Sequence, residues 1–252
     1  TTFLELCEDA LVEIASCCDG IAAIVGLPIL TADGTISAAA LIQDRKVLRY
    51  IGKKYITARR EMGFLVPSKG YEYATIKGHK CAIIVGDDLS RERDFDQSVE
   101  TVISINARKY GKGTMTYRYE MMRNLAFVES KNLVLVNQVG GSTDIVYDGT
   151  SGALNSRGEL VLMMKNFEED FQIFDTKASA RPITIPSTYN DRTRLVYEAA
   201  RCGLRDFFRK NGYRKASIGL SGGIDSAVVA CLAADALGRQ NIRALLLPSQ
   251  FS

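Results

Sequence analysis

The sequence predicts an α/β protein made of two units, a β-rich first unit and a second unit built on a parallel sheet. Short β-branched runs recur through the first two thirds of the chain, and several of them end in Gly, Asp or Asn. After a proline-containing stretch, residues 216–248 follow the order strand, glycine turn, helix, strand. Since such a connection places its two strands parallel in one sheet, we expect a separate unit there.

The first unit is expected to begin with a helix and to continue as strands. In residues 3–18 the apolar side chains recur at helical spacing. Between two strand-like runs, residues 116–131 predict a further helix through Met121, Leu125, Ala126 and Val128. The alternation of strands and helices is typical of an α/β fold. The expected strands are IAAIVGLPIL, AALIQDRKVLRYI, CAIIVGD, ETVISINA, NLVLVNQV, DIVYDG, ELVLMMKNF and FQIFD.

A linker and another helix introduce the second unit. Residues 176–190 carry two prolines and many small polar residues, which is typical of a linker between residues 1–175 and residues 191–252. Asp191 is the expected N-cap of a helix that stops at Gly212. Its buried face is expected to contain Val196, Ala199, Ala200, Gly203 or Leu204, and Phe207.

Composition narrows the class of protein. The 252 residues are 46% hydrophobic and carry a net charge of +3 spread along the chain, which is typical of a folded domain without a nucleic-acid-binding arm. No apolar run reaches the roughly 18 residues of a membrane span, and no signal peptide is visible, so we expect a cytoplasmic protein. The six cysteines form no C-x-x-C pair, and most are expected to be reduced and buried. The single histidine, His79, is expected in a solvated turn, which excludes triads and zinc sites that need several histidines.

The strongest chemical signal is SGGIDS, residues 221–226, between an expected strand and the next helix. The first N–H groups of a helix have no intrahelical partner and carry partial positive charge, so this junction suits an anion. Two glycines allow close approach of a phosphate to the backbone, and two serines can donate hydrogen bonds to it. Asp225 would be repelled by phosphate unless a cation lay between them, which indicates Mg²⁺. Walker A and dinucleotide fingerprints are absent. A plain glycine turn that enters a capped helix is the alternative interpretation.

SGGIDS resembles the SGGxDS loop of the N-type ATP pyrophosphatases. Residues 204–252 are further similar to the start of the synthetase domain of NAD⁺ synthetases. Upstream, GIAAIVGLPI, NLVLVNQVGG, DIVYDGTSGALNSRGELV and FEEDFQIFD are similar to the glutaminase domain that precedes it in the glutamine-dependent members. The resemblance implies a nitrilase-like α-β-β-α sandwich followed by the start of a Rossmann-like parallel-sheet ATP pyrophosphatase domain. It also implies that both domains continue beyond residues 1 and 252.

The reaction implied by this resemblance is the ATP-driven amidation of deamido-NAD⁺ to NAD⁺, with release of AMP and pyrophosphate. ATP and Mg²⁺ are the implied cofactors, and ammonia or glutamine supplies the nitrogen. The implied partners are these small molecules and further copies of the chain, with neither nucleic acid nor membrane. Leu246 and Leu247 would lie beside the adenine. The implied ATP-binding residues are Gly219, Ser221, Gly222, Gly223, Asp225 and Ser226, with Asp225 as the Mg²⁺ ligand.

The first unit departs from the pattern of the glutaminase domains that it resembles, in which a Glu base, a Lys and a nucleophilic Cys react together. The run GHKCAIIVGDDLS matches the nucleophile segment and places Gly86 where the cysteine belongs, so the usual covalent hydrolysis of glutamine is not available. Cys81 is expected in the core, on the opposite strand face from position 86. Lys54 is the match to the family lysine, with a solvated lysine in a basic turn as the alternative. The glutamate base would precede Thr1, and Asn106 replaces a serine near Lys112, which matches a lysine of the glutamine pocket.

Three functional hypotheses follow from these residues. The first is an NAD⁺ synthetase, for which the sequence supports ammonia as the nitrogen source better than glutamine. The second keeps the ATP pyrophosphatase loop but amidates or thiolates a different substrate. The third is a non-catalytic fragment or pseudoenzyme that acts as an assembly partner, with the first unit retained for folding, oligomer contacts or ammonia passage.

Overall fold

A computed structural model describes residues 2–59, 61–177 and 181–246. These residues form α1 (Thr2–Cys17), α2 (Thr114–Glu129), α3 (Arg192–Lys210) and α4 (Ile224–Leu237). The strands are β1 (Ala22–Thr31), β2 (Gly34–Gln43), β3 (Lys46–Gly52), β4 (Glu72–Ile76), β5 (His79–Val85), β6 (Thr101–Asn106), β7 (Asn132–Asn137), β8 (Val139–Ser142), β9 (Ile145–Asp148), β10 (Gly152–Leu154), β11 (Leu160–Met163), β12 (Ala216–Leu220) and β13 (Ile242–Leu246).

Two sheets make up most of the first unit. The smaller is an antiparallel sheet in the order β1-β2-β3, and Pro28 is tolerated in β1 because β1 lies at the sheet edge. The larger sheet has the order β11-β10-β7-β6-β5-β4, with β6 parallel to both β5 and β7. β8 and β9 form a separate antiparallel hairpin.

The two sheets pack face to face between two helices. In β5, Ile83 and Val85 join a core cluster with residues of β2 and β3, whereas Ala82 and Ile84 join the cluster that α2 covers. This alternation follows from the two-residue period of a strand that is buried on both faces. α1 covers the other face of the smaller sheet through Leu11 and other apolar residues. The predicted α-β-β-α sandwich is confirmed.

The second unit contains the predicted strand-helix-strand connection. β12 and β13 pair in parallel from Ala216 with Ile242 to Leu220 with Leu246, and α4 connects them. The Asp191 side chain accepts a hydrogen bond from the Arg194 N–H at 3.0 Å, so it caps α3 as predicted.

Three expectations about the strands and helix faces were wrong. FQIFD forms no strand, and its Phe171 and Ile173 side chains are exposed. The Asp170 carboxylate instead accepts hydrogen bonds from two backbone N–H groups, those of Lys165 and Phe171, so local contacts replace sheet pairing at the start of this segment. In α2, Leu125 and Ala126 are buried as predicted, but Val128 is exposed, and Met122 rather than Met121 is the fully buried methionine. In α3 the buried residues are Leu195, Ala199, Cys202 and Asp206, whereas Val196, Ala200 and Phe207 are exposed.

The cysteines and the histidine also differ in part from expectation. All six cysteines are free, but only Cys18, Cys81 and Cys202 are buried. His79 is the first residue of β5, directly after the turn, and its Nδ1 lies 2.8 Å from a Glu100 carboxylate oxygen. Among the described residues no helix combines the length and the apolar character that a membrane crossing requires.

Candidate functional site

The SGGIDS loop lies where the sequence analysis places it, between β12 and α4. Gly222 has φ +84°, in the left-handed region that favours glycine, and Gly223 is the N-cap of α4 with extended backbone. A Cβ at Gly222 would meet no atom within 4 Å, so its backbone conformation rather than crowding calls for glycine. The turn leaves the first N–H groups of α4 open to solvent, where they can bind an anion.

The loop brings its two serines together. Ser221 Oγ lies 3.2 Å from Ser226 Oγ, and Ser226 Oγ donates to the Gly223 carbonyl oxygen at 3.0 Å. The Ser221 N–H also donates to Ser226 Oγ, at 3.3 Å. Both hydroxyls therefore line one exposed turn, where a phosphate could exchange for these weak internal hydrogen bonds.

Asp225 lies in the first turn of α4, beside the exposed Ser221 and Ser226. Within the described ranges no cluster of three Asp, Glu, His or Cys side chains could hold a metal ion by itself. One carboxylate nevertheless fits Mg²⁺, which proteins commonly hold through one or two carboxylates together with substrate phosphates.

The parallel pairing of β12 and β13 determines which residues lie next to the SGGIDS loop. The carboxyl ends of both strands lie at the same edge, so Leu246 at the end of β13 shares that edge with Ser221. Leu246 is exposed, and Leu247 lies outside the described residues. Gly219 lies within β12, and its missing Cβ leaves open space on that strand.

A second candidate site lies in the first unit, at the carboxyl end of β5. Gly86 has φ +63° and begins a short 3₁₀ helix, Gly86–Ser90, directly after the strand. This sharp strand-to-helix turn is the geometry in which nucleophilic residues are held in many hydrolases. Here the turn carries a hydrogen atom instead of a reactive side chain.

The side chain nearest to Gly86 in this turn is that of Lys53. A Cβ at position 86 would lie 3.5 Å from Lys53 Nζ, and the three atoms nearest to it all belong to the Lys53 side chain. The Lys53 side chain is 5% exposed and forms an ion pair with Glu61 at 2.7 Å. Lys54 Nζ points elsewhere and pairs with Glu92 at 3.3 Å.

Asp88 fixes the backbone that carries these lysines. It is fully buried and accepts hydrogen bonds from the N–H groups of Lys54 at 2.6 Å and Tyr55 at 2.9 Å. Burial raises the pKa of the Asp88 carboxyl, and the two N–H donors oppose that shift. Contacts with Tyr55 and Glu92 raise the pKa of Lys54, so this ammonium stays charged.

Neither Lys53 nor Asp88 is predicted from the sequence as a residue of this site. Lys53 follows β3 directly, but two adjacent lysines gave no sign of which side chain turns inward. Asp88 is the second acidic residue of GDDLS, and two neighbouring carboxylates between apolar residues were the available signal. Cys81 lies in the core as predicted, and burial raises the pKa of its thiol. Lys112 lies in an exposed turn before α2, and the Asn106 amide donates to Ser104 Oγ at 2.8 Å.

The family described as NAD synthase matches residues 196–252. A glutamine-dependent NAD(+) synthetase of Synechocystis is 32% identical over 86% of this chain and 42% of its own length. The Aquifex aeolicus protein of the same description is 30% identical over 99% of this chain and 52% of its own length. The chain thus spans about half the length of the curated relatives it matches.

Two solved structures have folds similar to that of this chain. Glutamine-dependent NAD⁺ synthetase from Acinetobacter baumannii, in complex with ADP, aligns with a TM-score of 0.82 at 26% identity and covers 99% of this chain and 49% of that one. A mutant of the amidase from Nesterenkonia sp. AN1, in complex with butyramide, aligns with a TM-score of 0.55 at 18% identity over 64% of each chain. The amidase likeness extends to the fold alone.

Proposed function

We propose that this chain, a homologue of the glutamine-dependent NAD(+) synthetases along most of its length, contributes the nucleotide loop of an NAD⁺ synthetase. The observation that carries the proposal is the SGGIDS turn at the carboxyl edge of a parallel strand pair, with both serine hydroxyls on the exposed side. The proposed reaction is the ATP-dependent amidation of deamido-NAD⁺ to NAD⁺, with AMP and pyrophosphate as products.

In this proposal the loop residues bind the phosphates of ATP. The open N–H groups at the start of α4 donate to phosphate oxygens, and the helix dipole favours their negative charge. Ser221 and Ser226 exchange their mutual contact for hydrogen bonds to the same oxygens. Gly222, with no Cβ and free space around it, allows the phosphate to reach the backbone. Gly219 places no side chain on the neighbouring strand, which leaves space for the nucleotide.

Mg²⁺ would neutralise the polyphosphate charge when it is bound, and Asp225 is the residue that would hold it. The fit rests on the position of this carboxylate in the first turn of α4, next to the anion-binding edge. Without a cation, a carboxylate at that position would repel the phosphates. Asp225 is therefore the residue on which nucleotide turnover should depend most.

The first unit supports ammonia rather than glutamine as the nitrogen source. Position 86 occupies the nucleophile turn, and glycine has no atom with which to attack an amide. The Lys53 side chain, which lies nearest to Gly86, is neutralised by Glu61. The proposal therefore assigns no covalent step to this unit.

The first test is pyrophosphate release by the full natural protein with ATP, Mg²⁺, deamido-NAD⁺ and ammonium. Asp225→Ala is expected to abolish it, whereas Glu5→Ala should leave it unchanged. Glu5 is a matched control because it is also an acidic residue in the first turn of a helix, but in α1 of the other unit. Equal rates in both variants would contradict the role of Asp225, and no release by the unmodified protein would favour the non-catalytic hypothesis.

The second test is the nitrogen source. Glutamine labelled with ¹⁵N in its amide, with unlabelled ammonium omitted, is expected to give no labelled NAD⁺. Labelled ammonium should give labelled NAD⁺ in the same protein. Transfer of the glutamine label would refute the inference that Gly86 disables the usual chemistry.

A further inference from the structure

The helix α3 belongs to both units of the chain. Leu195, Ala199 and Cys202 on its buried face form one core cluster with Met115 and Phe167 of the first unit. On another side α3 contacts α4, where the Tyr197 hydroxyl donates to an Asp235 carboxylate oxygen at 2.5 Å. The helix therefore forms the mechanical connection between the first unit and the nucleotide loop.

Asp206 fixes α3 to the β8–β9 hairpin. Its side chain is 2% exposed, and its Oδ2 accepts a hydrogen bond from the Gly141 N–H at 2.7 Å. Lys210, one helical turn further on, donates to the carbonyl oxygen of the same Gly141. One peptide segment of the hairpin is thus held at both of its polar groups by the same helix.

The close approach at this contact depends on glycine. A Cβ at Gly141 would lie 3.0 Å from the Gly203 Cα and 3.3 Å from the Asp206 Cβ. A Cβ at Gly203 would in turn lie 3.1 Å from a methyl group of Val146 in β9. Backbone meets backbone here, and the hydrogen bond from the Gly141 N–H to Asp206 is buried.

The helix α4, which begins at the nucleotide loop, packs on α3. In α4, which begins at the loop, Ala233 is the only buried residue among those the structure describes. The packing of α3 against α4 is therefore a contact through which a change in α3 can reach the loop.

From these contacts we propose that Asp206 is a positioning residue for the nucleotide loop, a role that rests on the proposed function above. Asp206 holds α3 on the hairpin, and α3 holds α4 through Tyr197 and Asp235. The loop at the start of α4 is then presented to ATP in one orientation. The first unit, which carries no nucleophile at position 86, acts in this proposal as the platform of the nucleotide site.

The test compares three variants of the full natural protein. Asp206→Ala removes the acceptor, Asp206→Asn keeps an oxygen that can accept from Gly141, and Glu198→Ala removes an acidic side chain of α3 whose ion-pair partner Arg201 is on the same helix. Amide hydrogen exchange is followed in residues 219–229 and, as an internal reference, in residues 81–85. The dissociation constant for ATP with Mg²⁺ is measured on the same samples.

Asp206→Ala is expected to speed exchange in residues 219–229 about tenfold and to weaken ATP binding by a similar factor, with residues 81–85 unchanged. Asp206→Asn should restore most of both values, and Glu198→Ala should match the unmodified protein. Faster exchange in the hairpin alone, with residues 219–229 unchanged, would overturn the positioning role and leave Asp206 merely structural. If even the unmodified protein binds no ATP, the proposed function fails, and the exchange data still decide the role of Asp206.

Discussion

The ion pair of Arg118 and Asp148 is buried where α2 meets the end of β9, and its loss should cost the fold a large share of its stability. The two side chains are 1% and 0% exposed. Arg118 Nη2 lies 2.8 Å and 2.9 Å from the two carboxylate oxygens, and the Asn137 amide donates to the same carboxylate at 3.0 Å. Asp148→Ala is the perturbation that removes this acceptor.

The expected cost follows from what the substitution leaves behind. Among the described residues, Arg118 would keep only its hydrogen bond to the Gly149 carbonyl oxygen, at 3.0 Å, and its guanidinium would remain a buried and unpaired charge. Breaking one partner of such a pair costs about 3–5 kcal/mol in the free energy of unfolding. At roughly 2–4 °C per kcal/mol for a chain of this size, the melting temperature should fall by about 6–20 °C.

Equilibrium unfolding in urea, with thermal unfolding alongside, measures this loss. Glu159→Ala is the matched control, because Glu159 pairs with Arg157 at 2.7 Å on the surface, and this variant should lose far less stability than Asp148→Ala. The double variant Arg118→Met with Asp148→Leu removes both charges and should recover most of the stability. A loss below about 1 kcal/mol for Asp148→Ala would refute the reasoning.

Three other substitutions give distinct outcomes. Asp191→Ala removes the cap of α3 and should lower the free energy of unfolding by about 1 kcal/mol, measured by urea titration; an unchanged midpoint would contradict the cap. Burial raises the pKa of Asp206, but the Gly141 N–H and nearby arginines lower it by more, below the ordinary 3.8. The ionised carboxylate therefore stabilises the fold above 3.8 and loses this effect as the pH falls through its lowered pKa. Asp206→Asn should flatten the loss of stability with acid in that range, and parallel stability profiles of the two proteins would refute this. Gly86→Cys should place a thiol beside the Lys53 ammonium, which favours the thiolate form. Alkylation of this thiol by iodoacetamide, followed by peptide mass spectrometry, should be faster than alkylation of the buried native thiols. Equal rates would contradict the geometry.

Local signals in the sequence were sufficient to predict much of the fold and the position of the SGGIDS loop. The helix cap at Asp191 and the turn at Gly222 each depend on a few neighbouring residues, so they are visible without tertiary structure. The strands β5, β6 and β7 are apolar runs rich in Ile and Val, and β5 is buried on both faces from Cys81 to Val85. The strand β10 gave no such signal, because three residues beginning with a glycine become a strand only through pairing with β7 and β11.

Features set by distant contacts could not be predicted. Lys53 and Lys54 are adjacent and chemically identical, and the choice between them depends on where β3 ends relative to β5. The helix α3 carries apolar residues around much of its surface, so its sequence permits burial of Leu195 or of Val196. Only the packing of Cys202 and Asp206 against the first unit shows which face is inward.

The strand-to-helix turn of the first unit has the backbone conformation of a nucleophile turn but no reactive side chain. A side chain at φ +63° would bear backbone strain of about 1–2 kcal/mol, and an enzyme tolerates such strain where the side chain reacts. Glycine keeps the same turn without that strain, and Glu61 neutralises the buried Lys53 that would otherwise be an unpaired charge. The turn is therefore stable without a reaction to perform, and Asp88, buried with its N–H donors, still holds the adjoining backbone in place. A unit with this site need not hydrolyse an amide to keep its fold, and its contact with α3 at Gly141 gives it a physical role in the chain.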